Sequence, residues 1–206
     1  MTEDEWLACD DQVLLLQFLD CQWIASDRKL RLVACAACRQ EWGSISDPRS
    51  RVAVEVAEKF ADGLTNEREL KKAYRKAKSA ANADGISDLA IGVATAACFT
   101  TERRFCLVHA TGLLFALVNQ GEVVHFVRDI FGNPFRPVAI DPRWRTADAV
   151  GLARGIYVDR AFDRLPLLAD ALMDAGCADE QVIGHCRSEG PHVRGCWVVD
   201  LVLGKE

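Results

Sequence analysis

The chain has 206 residues with a formal net charge of -5, half of them apolar and 27% charged. That composition is of a globular protein able to bury its own core without external staples, and it excludes a low-complexity chain and a surface that is basic all over. Nine cysteines, an odd number, stand in a chain whose N-terminus reads M-T-E-D-E-W-L, acidic and without the basic start and apolar run of a signal peptide. The expectation is reduced thiols in the cytoplasm rather than a disulfide framework. No apolar stretch reaches the roughly 18 residues needed to span a bilayer, so no membrane partner is expected.

In chain order, Thr2 followed by Glu5 is a capping-box pattern that opens one or two short helices over Trp6 to Leu19. Ser26 caps a run to about Trp42 with Leu30, Val33, Ala34 and Ala37 on one face and Arg28, Arg31 and Arg39 opposite. Asp47 and Pro48 supply a cap and a first-turn proline for a helix ended by Gly63, and Thr65 or Asn66 starts another that stops at Asp84-Gly85. Further helices are predicted from Ser87 or Asp88 through Cys98, from Phe105 to Val118, and from Glu122 to Phe131 with a break at Gly121.

The stretch R-D-I-F-G-N-P-F-R-P-V-A-I-D-P-R-W-R, residues 128–145, then carries Pro134, Pro137 and Pro142, each of which removes a backbone donor and restrains the residue before it. Its Phe131, Phe135, Val138, Ile140 and Trp144 are too apolar for a solvated linker, so it reads as an ordered strap. Beyond it Thr146 caps a helix, Pro166 opens another and Asp179 a short one; Cys196 to Leu203 is helix or strand, with helix preferred. The whole is expected to be all-α, a compact array of roughly nine or ten helices: an N-terminal layer over 1–127, the strap over 128–145, and a C-terminal layer over 146–206.

The N-terminal E-W-L-A-C, the blocks S-D-R-K-L-R-L-V-A-C-A-A-C-R and V-A-V-E-V-A-E-K-F-A-D-G, and the C-terminal blocks R-D-I-F-G-N-P-F-R-P-V, R-A-F-D-R-L-P-L-L-A-D-A-L and H-V-R-G-C-W-V-V-D-L-V-L-G-K resemble a family of uncharacterised planctomycete proteins. The resemblance implies a bacterial, intracellular protein and transfers no functional residue.

Four constellations could carry chemistry. Cys35 and Cys38, with His185, Cys186, His192 and Cys196, supply soft donors of the kind a tetrahedral zinc site takes in fours, which makes zinc the one cofactor to consider. Set against this, C-A-A-C lies within a helical pattern, and free cysteine is often a small core residue. Cys35 also falls on the polar arc of its helix between Arg31 and Arg39, where cations would favour a thiolate, and is the candidate nucleophile of a cysteine-dependent enzyme, with His185 or His192 as base. Arg68, Lys71, Lys72, Arg75, Lys76 and Lys78 form a basic helix that could follow nucleic-acid phosphates, or simply a solvated face.

Arginines and aspartates alternate in and after the strap, as ion pairs that lock an irregular segment onto helices, and Arg136, Arg143, Trp144 and Arg145 are the candidate contacts for a partner protein. His109 and His125 lie among apolar residues and are expected in the core. With no phosphate-binding glycine loop, nucleophile elbow or H-E-x-x-H, the leading expectation is a non-catalytic protein-interaction module.

Overall fold

The computed structural model describes residues 1–83 and 120–205. Among these, ten α-helices and two 3-10 turns account for the regular structure, and there is no strand: the protein is all-α. The helices predicted over Ser87 to Val118, the stop at Asp84-Gly85 and His109 lie outside the described residues. Contacts divide the chain into two units, Met1–Val127 and Arg128–Glu206.

The first unit contains α1 (Glu3–Ala8), α2 (Gln12–Cys21), α3 (Asp27–Gln40), α4 (Pro48–Ala61) and α5 (Glu67–Ala83). Their starts follow from local hydrogen bonding. Thr2 and Glu5 satisfy each other's backbone N–H groups as a capping box, and Ser26, Asp47 and Asn66 accept from amides in the first turns of α3, α4 and α5. Helix α4 packs on both α3 and α5, burying Cys35, Cys38, Ile45, Ala53, Val54, Ala57, Leu70, Ala73 and Ala77. Each fully buried side chain of this kind adds about 1.5–3 kcal/mol for a valine- or leucine-sized group, less for alanine.

The α3–α4 seam is also ionic. Arg39 grips Glu58 with two hydrogen bonds of 3.1 and 2.8 Å while stacking 3.9 Å from the centre of the Trp42 ring, and Arg28 reaches Asp62 at 3.3 Å. The arginines opposite the apolar stripe of α3 therefore face a neighbouring helix, not water. Arg31 is 7% exposed and lies over Phe60.

Helix α6 (Gln120–Phe131) crosses from the first unit into the second. Two expectations shift here. Gly121 is inside the helix rather than a break, and residues 128–131 are helical, so the irregular strap begins at Gly132. The reason is that Pro134 restrains only the residue before it, leaving Arg128 to Phe131 free to keep helical hydrogen bonds. His125 is exposed on α6, although Val123, Val124, Phe126 and Val127 around it are buried.

The second unit holds α7 (Ala147–Asp159), α8 (Leu165–Asp174), α9 (Glu180–Cys186) and α10 (Trp197–Leu203), with 3-10 turns at Pro142–Trp144 and Phe162–Arg164. Helix α7 packs on α8 and α10, and α8 on α9. Ala153, Ile156, Leu165, Leu168, Leu172, Val182, Val198 and Val202 are buried together, and Val138, Ile140 and Trp144 of the strap pack against them. Arg145 closes the strap by donating from Nε to the Val202 carbonyl at 3.0 Å, satisfying an acceptor in the last turn of α10.

Candidate metal centre

Within the second unit, four segments converge on one point. Asp129 comes from the last turn of α6, His185 from the last turn of α9, His192 from the loop after it, and Cys196 from the N-cap of α10. One donor atom from each lies within 4.8 Å of the other three. Asp129 Oδ1 stands 2.7 Å from His192 Nδ1 and 3.1 Å from His185 Nε2, and His185 Nε2 is 3.2 Å from Cys196 Sγ.

Neighbouring groups hold each donor in place. The other Asp129 oxygen, Oδ2, accepts from the Val193 amide at 2.8 Å, which leaves Oδ1 to face the histidines. His192 Nε2 lies 3.3 Å from both the Ser188 carbonyl and its hydroxyl, and that hydroxyl donates to the His185 carbonyl at 2.8 Å. Without a metal His192 Nδ1 donates to Asp129 Oδ1; with one bound, a proton kept on Nε2 and directed at the Ser188 carbonyl would leave Nδ1 to face the ion. The His185 ring is wedged edge-on to His192 and tilted against Trp197, with centroids 4.9 and 5.2 Å away.

Gly132 ends α6 at φ 68°, and a Cβ there would come within 3.2 Å of the Trp197 ring. Only glycine meets both the left-handed backbone and the close approach of the indole.

Burial and the neighbouring charges set the protonation of each group. Asp129 is 4% exposed; burial pushes its carboxyl up, but hydrogen bonds from His185 and His192 outweigh this and hold it below the ordinary value. Burial depresses His192, yet the Asp129 carboxylate more than reverses that, so its imidazole is raised. Burial drives the Cys196 thiol well above its usual range, aided by the Asp129 charge, against the amides of Val199 and Val198 that favour a thiolate. The metal-free cluster thus holds an ionised Asp129 beside an imidazole that favours its proton, and a neutral thiol. A divalent cation bound there would take the place of the protons on His192 and Cys196.

The donor set fits a zinc-class ion. Bonds of 2.0–2.3 Å in a tetrahedron place donors about 3.3–3.8 Å apart, so the three short pairs need to open by only some tenths of an ångström. Monodentate carboxylate, two imidazoles and one thiolate are ordinary ligands for such an ion, and four protein donors leave no open position for a substrate.

A catalytic Cys-His-Asp relay fits poorly. It needs the histidine to offer one ring nitrogen to the thiol and the other to the carboxylate, whereas His185 turns the same Nε2 to both.

Of the six metal donors expected from sequence, His185, His192 and Cys196 come together here. Cys186 is fully buried in the core beside them, its thiol pushed up to about 12 by burial and by the nearby Cys177 and Asp129. Cys35 and Cys38 belong to the core of the first unit and are 1% and 2% exposed. Cys35 is not on a polar arc: its sulfur points toward the Val54 carbonyl on α4, 4.0 Å away, because Arg31 and Arg39 on either side are themselves drawn into the α3–α4 seam.

Asp129 is the donor that sequence reasoning missed, having read it as one of the strap's ion-pairing aspartates. A signal was there, since a carboxylate in the last turn of a helix opposes the negative end of the helix dipole and calls for a cation.

The remaining candidates are placed as follows. On α5, Arg68, Lys71, Lys72, Arg75, Lys76 and Lys78 are all exposed; Lys71 and Lys72 pair with Glu67 and Glu69 at 2.6 and 3.6 Å, and Lys78 lies 5.8 Å from the Tyr74 ring centre. In the strap, Trp144 is half-buried against the core, Arg145 is tied to α10, Arg143 pairs with Asp141, and Arg136 is exposed. Among the described residues no helix is long and apolar enough to cross a membrane. Comparison of the chain with protein-family models, curated proteins and solved structures finds no match.

Proposed function

We propose that this chain is a non-catalytic interaction module of the cytoplasm whose second unit is fastened by a zinc-class divalent ion, with Asp129, His185, His192 and Cys196 as its four ligands. The observation that carries this reading is the convergence of those donors, from four segments, on a single buried point. Cys35 and Cys196, both 1% exposed or less, argue against a cysteine nucleophile. Zinc here serves architecture: it ties α6 to the loop between α9 and α10, and structural sites of this kind contribute directly to folding free energy.

Three of the four ligands fall in the R-D-I-F-G-N-P-F-R-P-V and H-V-R-G-C-W-V-V-D-L-V-L-G-K blocks, through which the chain resembles the planctomycete proteins.

The test is elemental analysis of protein purified without chelator. About one equivalent of zinc is expected, falling steeply in Cys196→Ala and His185→Ala variants. Less than about a tenth of an equivalent, with no change in melting temperature on adding zinc, would remove the proposal. A second reading, contact with nucleic-acid phosphates through α5, is favoured by the outward placement of its six cations. It predicts binding that weakens steeply as salt rises.

A further inference from the structure

At about 100° per residue, Leu70, Ala73 and Ala77 fall on one narrow arc of α5, and Arg68, Lys72, Arg75, Lys76 and Ser79 on the arc turned away from it. The structure keeps that division. The first three are at most 6% exposed and belong to the core that α5 shares with α4, whereas the other five are exposed and line a single open groove of about 410 Å³. Four cations and a hydroxyl are thus gathered on one surface by the fold.

Few carboxylates answer this charge. Lys72 pairs with Glu69 at 3.6 Å, and Arg75 donates from Nε to the Lys71 carbonyl at 3.3 Å, but Arg68, Arg75 and Lys76 form no ion pair among the described residues. About three cationic heads are therefore free to meet an anion.

The chemistry of the face selects that anion. Among the described residues no aromatic or aliphatic side chain lines the groove, so it offers no platform for unstacked bases, no apolar anchor for a protein partner and no wedge for acyl chains. Tyr74, the one aromatic of α5, is packed against the core with Lys78 5.8 Å from its ring centre. What remains is recognition by phosphate contacts alone, of a polymer that keeps its bases stacked inside. At 1.5 Å per residue, Arg68 and Lys76 stand roughly 12 Å apart along the helix, so they reach opposite walls of a B-form major groove about 12 Å wide. The deep, narrow major groove of an RNA duplex does not admit such a helix.

We propose that the outer face of α5 is a sequence-blind docking surface for duplex DNA, laid across a major groove with Arg68, Lys72, Arg75 and Lys76 on the phosphates and Ser79 donating to one of them. The proposal rests on the reading of α5 as a phosphate-contacting helix and is independent of the metal centre.

The experiment titrates the full chain into labelled duplex DNA, into either strand alone and into duplex RNA of the same sequence, read by fluorescence anisotropy. Duplex DNA should bind about fivefold or more tighter than the other three, and equally for two unrelated sequences. Its affinity should fall roughly 40-fold between about 50 and 200 mM salt, the dependence of about three phosphate contacts. Arg68→Gln combined with Lys76→Gln should weaken binding about tenfold or more and lower the salt slope by about two, while Lys78→Gln, on the flank, has a much smaller effect. Glutamine keeps the helix propensity of the residues it replaces, so unchanged melting temperatures separate lost binding from lost folding. Equal or tighter binding of a single strand or of duplex RNA would overturn the duplex-DNA assignment and leave α5 a phosphate-contacting helix, as would a strong preference between the two sequences. No binding at low salt, or binding that the double variant does not weaken, would overturn both. Tighter binding to phosphatidylserine vesicles than to duplex DNA would also overturn the proposal, reassigning the face to anionic lipid.

Discussion

His192 Nδ1 and Asp129 Oδ1 meet at 2.7 Å across 63 positions of sequence, and the next residue, Val193, binds the other oxygen of the same carboxylate. The loop after α9 is therefore held to α6 by one buried side chain. Asp129→Asn removes the charge from this anchor and leaves an amide where an acceptor is needed. It should lose the metal and destabilise the metal-free protein by about 3 kcal/mol, read from denaturant unfolding with and without zinc. Unchanged stability in both conditions would contradict the arrangement.

Thiol reactivity should follow burial. Cys21 is exposed and Cys9 partly so, while Cys35, Cys38, Cys177, Cys186 and Cys196 are buried. With iodoacetamide at neutral pH, mass spectrometry should find, among the cysteines of the described residues, Cys21 and Cys9 modified first and Cys35 spared until denaturant is added. Rapid modification of Cys35 in the folded chain would revive a nucleophilic role.

The Arg39–Glu58 pair tests how the first unit is held. Glu58 is 4% exposed, so removing Arg39 takes two charge-assisted hydrogen bonds from a buried carboxylate. Arg39→Met should cost about 3 kcal/mol, and the double variant Arg39→Met with Glu58→Met clearly less than the sum of the two single changes. Additive losses would mean that the two groups act separately.

Asp47 sets a pH dependence. The Arg49 guanidinium, bonded to its carboxylate, holds Asp47 below its ordinary value of 3.8, and the amides of Arg49 and Ser50 add to this. A lowered pKa means that its contribution is complete above that value and is lost as pH falls below it. Asp47→Asn, which can still cap α4, should soften the acid limb of the stability profile, whereas Asp47→Ala should cost about 1 kcal/mol at neutral pH. Identical acid limbs in wild type and Asp47→Asn would refute the assignment.

What could be read from sequence was local. The caps at Thr2, Ser26, Asp47, Thr146 and Asp179 were legible because each bonds an amide two or three residues away. The last helix was ambiguous because W-V-V-D-L-V-L is rich in β-branched residues that fit a strand equally well, and packing on α7 decides it. The helical wheel misplaced Cys35 because it assumes that arginines face water, and Arg31 and Arg39 face α4. His185, His192 and Cys196 could be suspected as near neighbours in sequence, but their pairing with Asp129 depends on how the chain returns to α6, which no local pattern encodes.

The continuity of α6 limits how the molecule can be divided. Its first eight residues, numbers 120–127, are assigned to one unit and its last four, 128–131, to the other. A fragment beginning at Arg128 would keep the Asp129 side chain on a single turn of helix, too short to nucleate alone. Limited proteolysis or gene dissection at that junction should release a C-terminal piece with all four ligands in its sequence and no rigid frame to hold the first. A fragment meant to keep the centre intact must therefore begin upstream of Gln120 and carry the bridging helix whole.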